Sequence, residues 1–173
     1  MKVFATLLIG VLVFAVAAVV AIQVLVPNTR TSTHSITLNG TLEDVWAVYT
    51  DPASLPDWRA SVTSIENLSG TPGQRKWTEV SRHNVQIDFQ EKVFEAPSRY
   101  ELATASEGYF AGSYVAAFEQ IEQALVRGTF TETISTSGLR AKILAWLFVN
   151  PKTLIEDFAR DAQAEITRRA QQP

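Results

Sequence analysis

The chain has 173 residues, 46% of them hydrophobic, and 15 lysines and arginines against 18 aspartates and glutamates, for a formal net charge of −3. A slightly acidic chain with scattered basic residues has no electrostatic reason to bind nucleic acid, which attracts clusters of lysine and arginine. The sequence contains no cysteine, which excludes disulfides, thiolate nucleophiles and zinc–thiolate sites.

The chain begins with a long apolar segment. Residues 3–26 carry no charge, and Pro27 ends the run; a helix of this length, rising ~1.5 Å per residue, reaches across a ~30 Å hydrocarbon core. A cleaved signal peptide is the alternative, although its apolar region usually runs only ~7–15 residues. We interpret residues 1–30 as a single-pass transmembrane anchor with a short linker and residues 31–173 as one domain. Lys2 before the segment favours a domain on the extracytoplasmic side.

The domain opens with one strand and two short helices. Residues 34–38 alternate apolar and polar side chains, which predicts a first strand. Thr41 and Asp44 have the spacing of a capping box and predict a helix start. Asp51, followed by Pro52, predicts a second helix start, with Asp51 as its cap.

The rest of the chain alternates strands and turns until a final helix. Six strands of an antiparallel meander are predicted over residues 62–68, 75–81, 85–94, 99–104, 113–122 and 125–134. Residues 139–170 are predicted to be helical, broken at Pro151, with an apolar face formed by Ile143, Leu147, Leu154, Phe158, Ala162 and Ile166. The order predicts an α+β fold in which a seven-stranded antiparallel sheet is covered by a long C-terminal helix.

Particular stretches carry a family resemblance. They are VWAVYTDPASLPDWRASVTSIENL at residues 45–68, WTEV at 77–80, GSY at 112–114 and GTFTET at 128–133. With this order of elements, residues 33–169 resemble the polyketide cyclase/dehydrase and START-like (SRPBCC) superfamily. The resemblance implies a helix-grip fold, in which the sheet wraps around the C-terminal helix and leaves an apolar cavity suited to a hydrophobic small molecule.

Within the longest matching stretch, three residues are better explained by structure than by chemistry. Asp51 is expected to cap a helix and Pro56 to shape the end of that helix. Trp58 is expected to pack beneath the edge of the sheet.

Strand alternation selects the side chains that face the cavity. On this basis the predicted ligand-binding residues are Trp77, Glu79, Ile87, Phe89, Tyr100, Tyr114, Phe118 and Phe130 from the strands and Leu147 from the last helix. The alternative is that the aromatic residues among them only fill the core, with local partners for their polar atoms.

Glu79 is the most conspicuous single acid. Burial facing the cavity would raise the pKa of its carboxyl group and make it an acid–base group, whereas the alternative is an ion pair with Arg99 or Arg127. The two histidines, His34 and His83, fall near the start of a strand and in a turn, so they predict no metal site. We predict no catalytic residue, no metal and no cofactor.

These observations predict a membrane-anchored protein that binds a hydrophobic small molecule or lipid, such as an isoprenoid or quinone-like molecule. Its expected partners are that ligand and a membrane through residues 3–26; its oligomeric state is left open. We favour binding over catalysis, because a cyclase/dehydratase-like enzyme needs a buried acid–base pair. A protein-interaction module with a collapsed cavity is the other alternative. The break at Asn150-Pro151 is a candidate hinge for ligand access.

Overall fold

The computed structural model describes residues 2–136, 138–148 and 150–172. In chain order the elements are α1 (Lys2–Leu25), β1 (Thr29–Asn39), α2 (Leu42–Tyr49), a 3-10 turn (Pro52–Ser54), α3 (Leu55–Trp58), β2 (Val62–Ser69), β3 (Lys76–Ser81), β4 (Gln86–Glu95), β5 (Arg99–Ser106), β6 (Phe110–Glu122), β7 (Leu125–Thr136), α4 (Leu139–Phe148) and α5 (Pro151–Ala170).

The strands form one seven-stranded sheet in the order β1-β7-β6-β5-β4-β3-β2. Every neighbouring pair is antiparallel, which confirms the predicted α+β architecture. Strands β2 to β7 lie close to the predicted ranges, because alternation and turn residues mark them in the sequence. Strand β1 begins at Thr29, which pairs with Ser135, so the stretch interpreted as a linker is part of the sheet.

The hydrophobic core lies between one face of the sheet and helices α2 and α5. Helix α2 begins with the predicted capping box: the Thr41 hydroxyl oxygen accepts from the Asp44 N–H at 3.2 Å, and the Asp44 carboxylate accepts from the Thr41 N–H at 3.2 Å. Helix α5 packs closely over the turn between β1 and α2. A side chain at Gly40 would lie 2.9 Å from the Ile166 methyl, so the glycine makes room for the helix.

The C-terminal segment forms two helices, as the proline predicted. Asn150 caps α5, since its side-chain oxygen accepts from the Lys152 N–H at 3.2 Å. The predicted apolar face is wrong at Leu154, which is 47% exposed, while Ile155 and Ala159 are buried at 4% each. Leu154, Phe158, Ala162 and Ile166 all lie in α5 at four-residue steps. Because a helix turns every 3.6 residues, such steps drift around its axis, and this carries Leu154 away from the buried side.

Asp51 does not cap a helix as predicted, and Trp58 packs against α5. Asp51 occupies the N-cap position of the 3-10 turn but makes no capping hydrogen bond; its carboxylate lies 3.7 Å from Arg169 of α5. Trp58 stacks on Phe158 of α5 with ring centroids 5.6 Å apart, and its N–H donates to the Ser54 hydroxyl at 3.1 Å. Both side chains therefore join the 3-10 turn and α3 to α5.

Helix α1 precedes the sheet and contacts α4. The Lys142 ammonium of α4 donates to the Gln23 carbonyl at 3.0 Å. Across the described part of the chain, no helix is both long enough and apolar enough to cross a membrane. The predicted membrane-spanning helix is therefore not supported, although the segment is helical as expected.

Candidate functional site

A cavity of about 170 Å³ lies between the sheet and α5. From the helices and the turns beside them it is lined by Tyr49, Pro52, Leu55, Arg59, Leu154, Ile155 and Phe158. From the strands it is lined by Trp77, Glu79, Ile87, Phe89, Tyr100, Leu102, Thr104, Phe110, Tyr114 and Glu132. The walls are mostly apolar or aromatic, which is typical of a site for a hydrophobic small molecule.

Most of the predicted ligand-binding residues meet at this cavity. Trp77, Glu79, Ile87, Phe89, Tyr100 and Tyr114 all line it. Phe118 and Phe130 do not: they are 5% and 1% exposed and belong to the adjoining core. Tyr49 of α2 packs on both of these rings, and this separates them from the cavity. The side chain of Leu147 lies outside the described residues.

Stacked aromatic rings form two walls of the cavity. Trp77 and Phe89 are opposite each other on β3 and β4, with ring centroids 5.3 Å apart and planes only 3° from parallel. Phe158 of α5 supplies the second wall, supported from behind by Trp58. These rings contribute apolar surface to the cavity wall.

Arg59 and Glu79 form an ion pair at the edge of the cavity. The Arg59 guanidinium lies 3.0 Å from the Glu79 carboxylate and 4.5 Å above the centre of the Phe158 ring. Burial raises the pKa of the Glu79 carboxyl; the charge of Arg59 and hydrogen bonds from Trp77 and Arg59 oppose this shift without cancelling it. Glu79 is thus a buried carboxyl whose charged form depends on Arg59.

The predicted pairing of Glu79 with an arginine is confirmed, but both named partners were wrong. Arg99 pairs with Glu101, and Arg127 pairs with Glu119. Both arginine side chains are 48% exposed, so they lie on the outer surface. Arg59 follows α3, and only the fold brings this loop to β3.

Glu132 is a second acid at the cavity, and the sequence reasoning missed it. It lies opposite Tyr114 across β6 and β7. Burial raises the pKa of its carboxyl, and the charge of Arg59 partly opposes this. Within the described part of the chain, no hydrogen bond or ion pair engages this carboxyl. Glu132 follows Phe130 by two positions, so strand alternation was a signal that could have identified it.

Two tyrosine hydroxyls at the cavity are buried without a hydrogen-bond partner among the described residues. They belong to Tyr49 and Tyr114, and both side chains line the cavity. Burial raises the pKa of both hydroxyls well above the ordinary tyrosine value, so both stay protonated at neutral pH. Buried hydroxyls are nearly always paired in native proteins, and these two are therefore candidates for contact with a ligand.

Tyr100 differs from these two tyrosines because its hydroxyl is engaged. It donates to the Glu91 carboxylate at 3.0 Å. The same carboxylate accepts from the Arg75 side chain at 2.8 Å and from the Gly73 N–H at 2.7 Å. Burial raises the pKa of Glu91, but the hydrogen bonds from Arg75 and Tyr100 and the charge of Arg75 outweigh it and lower the pKa overall. The ring of Tyr100 lines the cavity, while its hydroxyl group stabilises the fold through the hydrogen bond to Glu91.

The histidines take no part in the cavity. His34 lies within β1 and His83 in the turn before β4. Among the described residues, no group of three or more histidine, cysteine, aspartate or glutamate side chains is placed to hold a metal ion. The polar groups that line the cavity include its tyrosines, Thr104, its two carboxyl groups and Arg59.

Comparison with known protein families gives a match over the part of the chain that forms the cavity. A family described as "Polyketide cyclase / dehydrase and lipid transport" matches residues 29–168, a range that runs from β1 almost to the end of α5. A search of curated proteins finds no match.

Solved structures share the fold at low sequence identity. A conserved protein from Geobacillus kaustophilus is 23% identical with a TM-score of 0.64, and the match covers 80% of this chain and 96% of the other. The Zhui aromatase/cyclase from a Streptomyces species is 13% identical with a TM-score of 0.70, over 83% and 96%. A norcoclaurine synthase point mutant from Thalictrum flavum is 11% identical with a TM-score of 0.65, over 83% and 97%. At these identities the likeness concerns the fold alone.

Proposed function

Because the chain belongs to the polyketide cyclase/dehydrase and lipid transport family, we propose that it binds a hydrophobic small molecule in the cavity between its sheet and α5. The observation that carries this proposal is the cavity itself, whose walls are largely apolar and include the stacked pair Trp77 and Phe89. Binding would remove apolar surface of the ligand from water, which is the main favourable contribution in sites of this kind.

The cavity volume limits what the site can enclose. A cavity of about 170 Å³ is close in size to an engineered apolar cavity of about 150 Å³ that binds benzene. The enclosed part of the ligand would therefore be one or two fused rings, or an apolar segment of similar size. Leu154 is 47% exposed and lines the cavity, so a longer apolar tail would leave the site beside it.

Native mass spectrometry of the full chain tests ligand binding. The protein is exposed to a whole-cell organic extract, and we expect a discrete small-molecule adduct. Ile87→Trp would fill the cavity from its half-buried wall and remove the adduct. Val85→Trp is the matched control, because Val85 is 41% exposed and outside the lining. A bare mass for the unmodified chain, or an adduct that survives Ile87→Trp, would contradict the proposal.

The second candidate function is a cyclase/dehydratase-like enzyme, and Glu132 is the observation that favours it. A carboxyl with a raised pKa and no ion pair among the described residues can exchange a proton with a bound ligand. Dehydration of an aromatic β-hydroxyketone is a direct test. The Glu132 carboxylate would remove the α-proton and then return it to the β-hydroxyl, which departs as water, and the enone that forms absorbs in the ultraviolet. We expect Glu132→Gln to abolish enone formation. A rate equal to that in buffer, or unchanged by the substitution, would exclude this chemistry.

We further propose that α1 holds the domain at a membrane surface. The supporting observation is a set of exposed apolar side chains on α1: Phe4, Ile9, Val11, Leu12, Val13, Phe14, Val16, Val19, Val20, Val24 and Leu25. Apolar surface of this extent favours a lipid environment over water. That the domain lies on the extracytoplasmic side stays a prediction, which protease accessibility in intact cells would test.

Vesicle flotation tests the membrane proposal with the full chain. We expect the protein to float with phosphatidylcholine vesicles and the doubly substituted Phe14→Lys, Val24→Lys variant to remain at the bottom of the gradient. Both positions are 76% exposed, so the substitutions leave the core intact. Ile121→Lys, at an exposed position on β6, is the control and should still float. Flotation of the double variant would contradict the proposal.

A further inference from the structure

The cavity combines apolar walls with two hydroxyls that have no partner in the described part of the chain. Tyr49 is only 6% exposed, and the hydroxyl oxygens of Tyr49 and Tyr114 are both buried. Leaving such groups unpaired costs free energy, which a bound ligand with a complementary oxygen would recover. The two hydroxyls therefore indicate which polar group the ligand carries, whereas the apolar walls indicate only that it is hydrophobic.

We propose that the cavity selects a neutral aromatic ligand with a carbonyl oxygen, which accepts hydrogen bonds from the hydroxyls of Tyr49 and Tyr114. This inference rests on the proposed ligand-binding function and names the chemical class of the ligand.

The rings that bear these hydroxyls are held in place before any ligand binds. Tyr49 stacks on Phe130 at 5.2 Å and 15°, and it meets Phe118 and Phe158 edge-on at 5.1 and 4.9 Å. Tyr114 also stacks on Phe130, at 6.2 Å and 17°. Hydrogen-bond donors fixed in this way lose little conformational entropy on binding.

The charges at the cavity exclude an anionic ligand. Glu79 and Glu132 are the carboxyl groups of its lining, and Arg59 is the cation among the described lining residues. Arg59 is already engaged by Glu79 at 3.0 Å, which leaves no cation to compensate a carboxylate or phosphate on the ligand. Burying such a charge near Glu132 would be strongly unfavourable, whereas a ketone needs only the hydroxyl donors.

Three naphthalene probes test the selection, with calorimetric titration into the full chain. They are 2-acetylnaphthalene, which carries a carbonyl, 2-ethylnaphthalene, which is apolar, and 2-naphthoate, which is anionic. Since hydrogen bonds from two donors are involved, we expect the ketone to bind roughly tenfold more tightly than the ethyl compound, and naphthoate to bind most weakly.

Removing the two hydroxyls should abolish the preference for the ketone. In the Tyr49→Phe, Tyr114→Phe double variant we expect the ratio of the two affinities to fall to about one. Tyr109→Phe is the control, because Tyr109 is 45% exposed and outside the cavity lining. Melting curves verify that each variant is folded.

The outcomes separate this inference from the proposed function. Equal binding of the ketone and the ethyl compound by the unmodified chain, or a preference that survives in the double variant, would overturn the inference while leaving the apolar site in place. Tighter binding of naphthoate than of the ketone would overturn the charge argument and hence the inference. Binding of neither neutral naphthalene would overturn the ligand-binding function as well.

Discussion

The same chemical change should have opposite effects at different tyrosines. Replacing Tyr49 or Tyr114 with phenylalanine removes a buried hydroxyl without a partner among the described residues, so each variant should be more stable than the unmodified protein when no ligand is present. Replacing Tyr100 with phenylalanine removes the hydroxyl that donates to Glu91 at 3.0 Å, so this variant should be less stable. All three substitutions keep the aromatic ring and remove the hydroxyl. They differ only in whether that hydroxyl had a hydrogen-bond partner.

The expected magnitudes follow from burial and pairing. An unpaired buried polar group costs ~1–3 kcal/mol, and a hydrogen bond to a charged group contributes ~1.5–3 kcal/mol. For a chain of this size, 1 kcal/mol shifts the melting temperature by about 2–4 °C. We therefore expect Tyr49→Phe and Tyr114→Phe each to raise the melting temperature by at least about 2 °C, and Tyr100→Phe to lower it by about 3–12 °C.

Thermal unfolding of the ligand-free full chain, followed by circular dichroism, measures all three shifts. Urea titration gives the free energies of unfolding independently. Tyr109→Phe, at an exposed position, should change neither quantity. A fall in melting temperature for Tyr49→Phe or Tyr114→Phe, similar to that for Tyr100→Phe, would refute the reasoning, because it would mean that these hydroxyls already have partners.

Other substitutions test the electrostatics and the packing. Burial raises the pKa of Glu132, so stability is lost as pH rises through that pKa; in urea titrations Glu132→Gln should stabilise more at about pH 8 than at about pH 4, and equal effects would be a contradiction. Hydrogen bonds from Arg168 and Arg169 lower the pKa of Glu165 to about 2. Its stabilisation should thus be lost as pH falls from about 4.5 towards 2, and an unaltered acid transition in Glu165→Gln would refute this. A side chain at Gly128 would lie 2.6 Å from the Phe130 ring, so Gly128→Ala should destabilise by about 1–3 kcal/mol; a melting temperature as high as that of Gly10→Ala, which adds no contact within 4 Å, would argue against it.

Local sequence patterns were enough to predict the sheet and much of the cavity wall. Side chains along a strand alternate with a period of two, and this correctly put Trp77 and Glu79 on one buried face. The capping box at Thr41 and the break before α5 were also local signals, since each depends on residues only a few positions apart.

The remaining features depend on contacts between distant parts of the chain. Phe130 was predicted to line the cavity, but α2 places the Tyr49 ring on it, and strand alternation contains no information about that helix. Arg59 and Glu79 are brought together by the packing of the loop after α3 against β3. Leu154 was misplaced for a local reason, since repeated four-residue steps drift around a helix that turns every 3.6 residues.

The most direct test of the central claim is a nuclear Overhauser experiment on the full chain with 2-acetylnaphthalene. Binding in the cavity between the sheet and α5 predicts contacts from the naphthalene protons to the aromatic protons of Phe89 and Phe158, and from the acetyl methyl to Tyr49 or Tyr114. Ile87→Trp should remove all of these contacts, and Val85→Trp should keep them. Contacts only to residues outside the cavity lining, or none with any part of the domain, would contradict the claim that this cavity is the binding site.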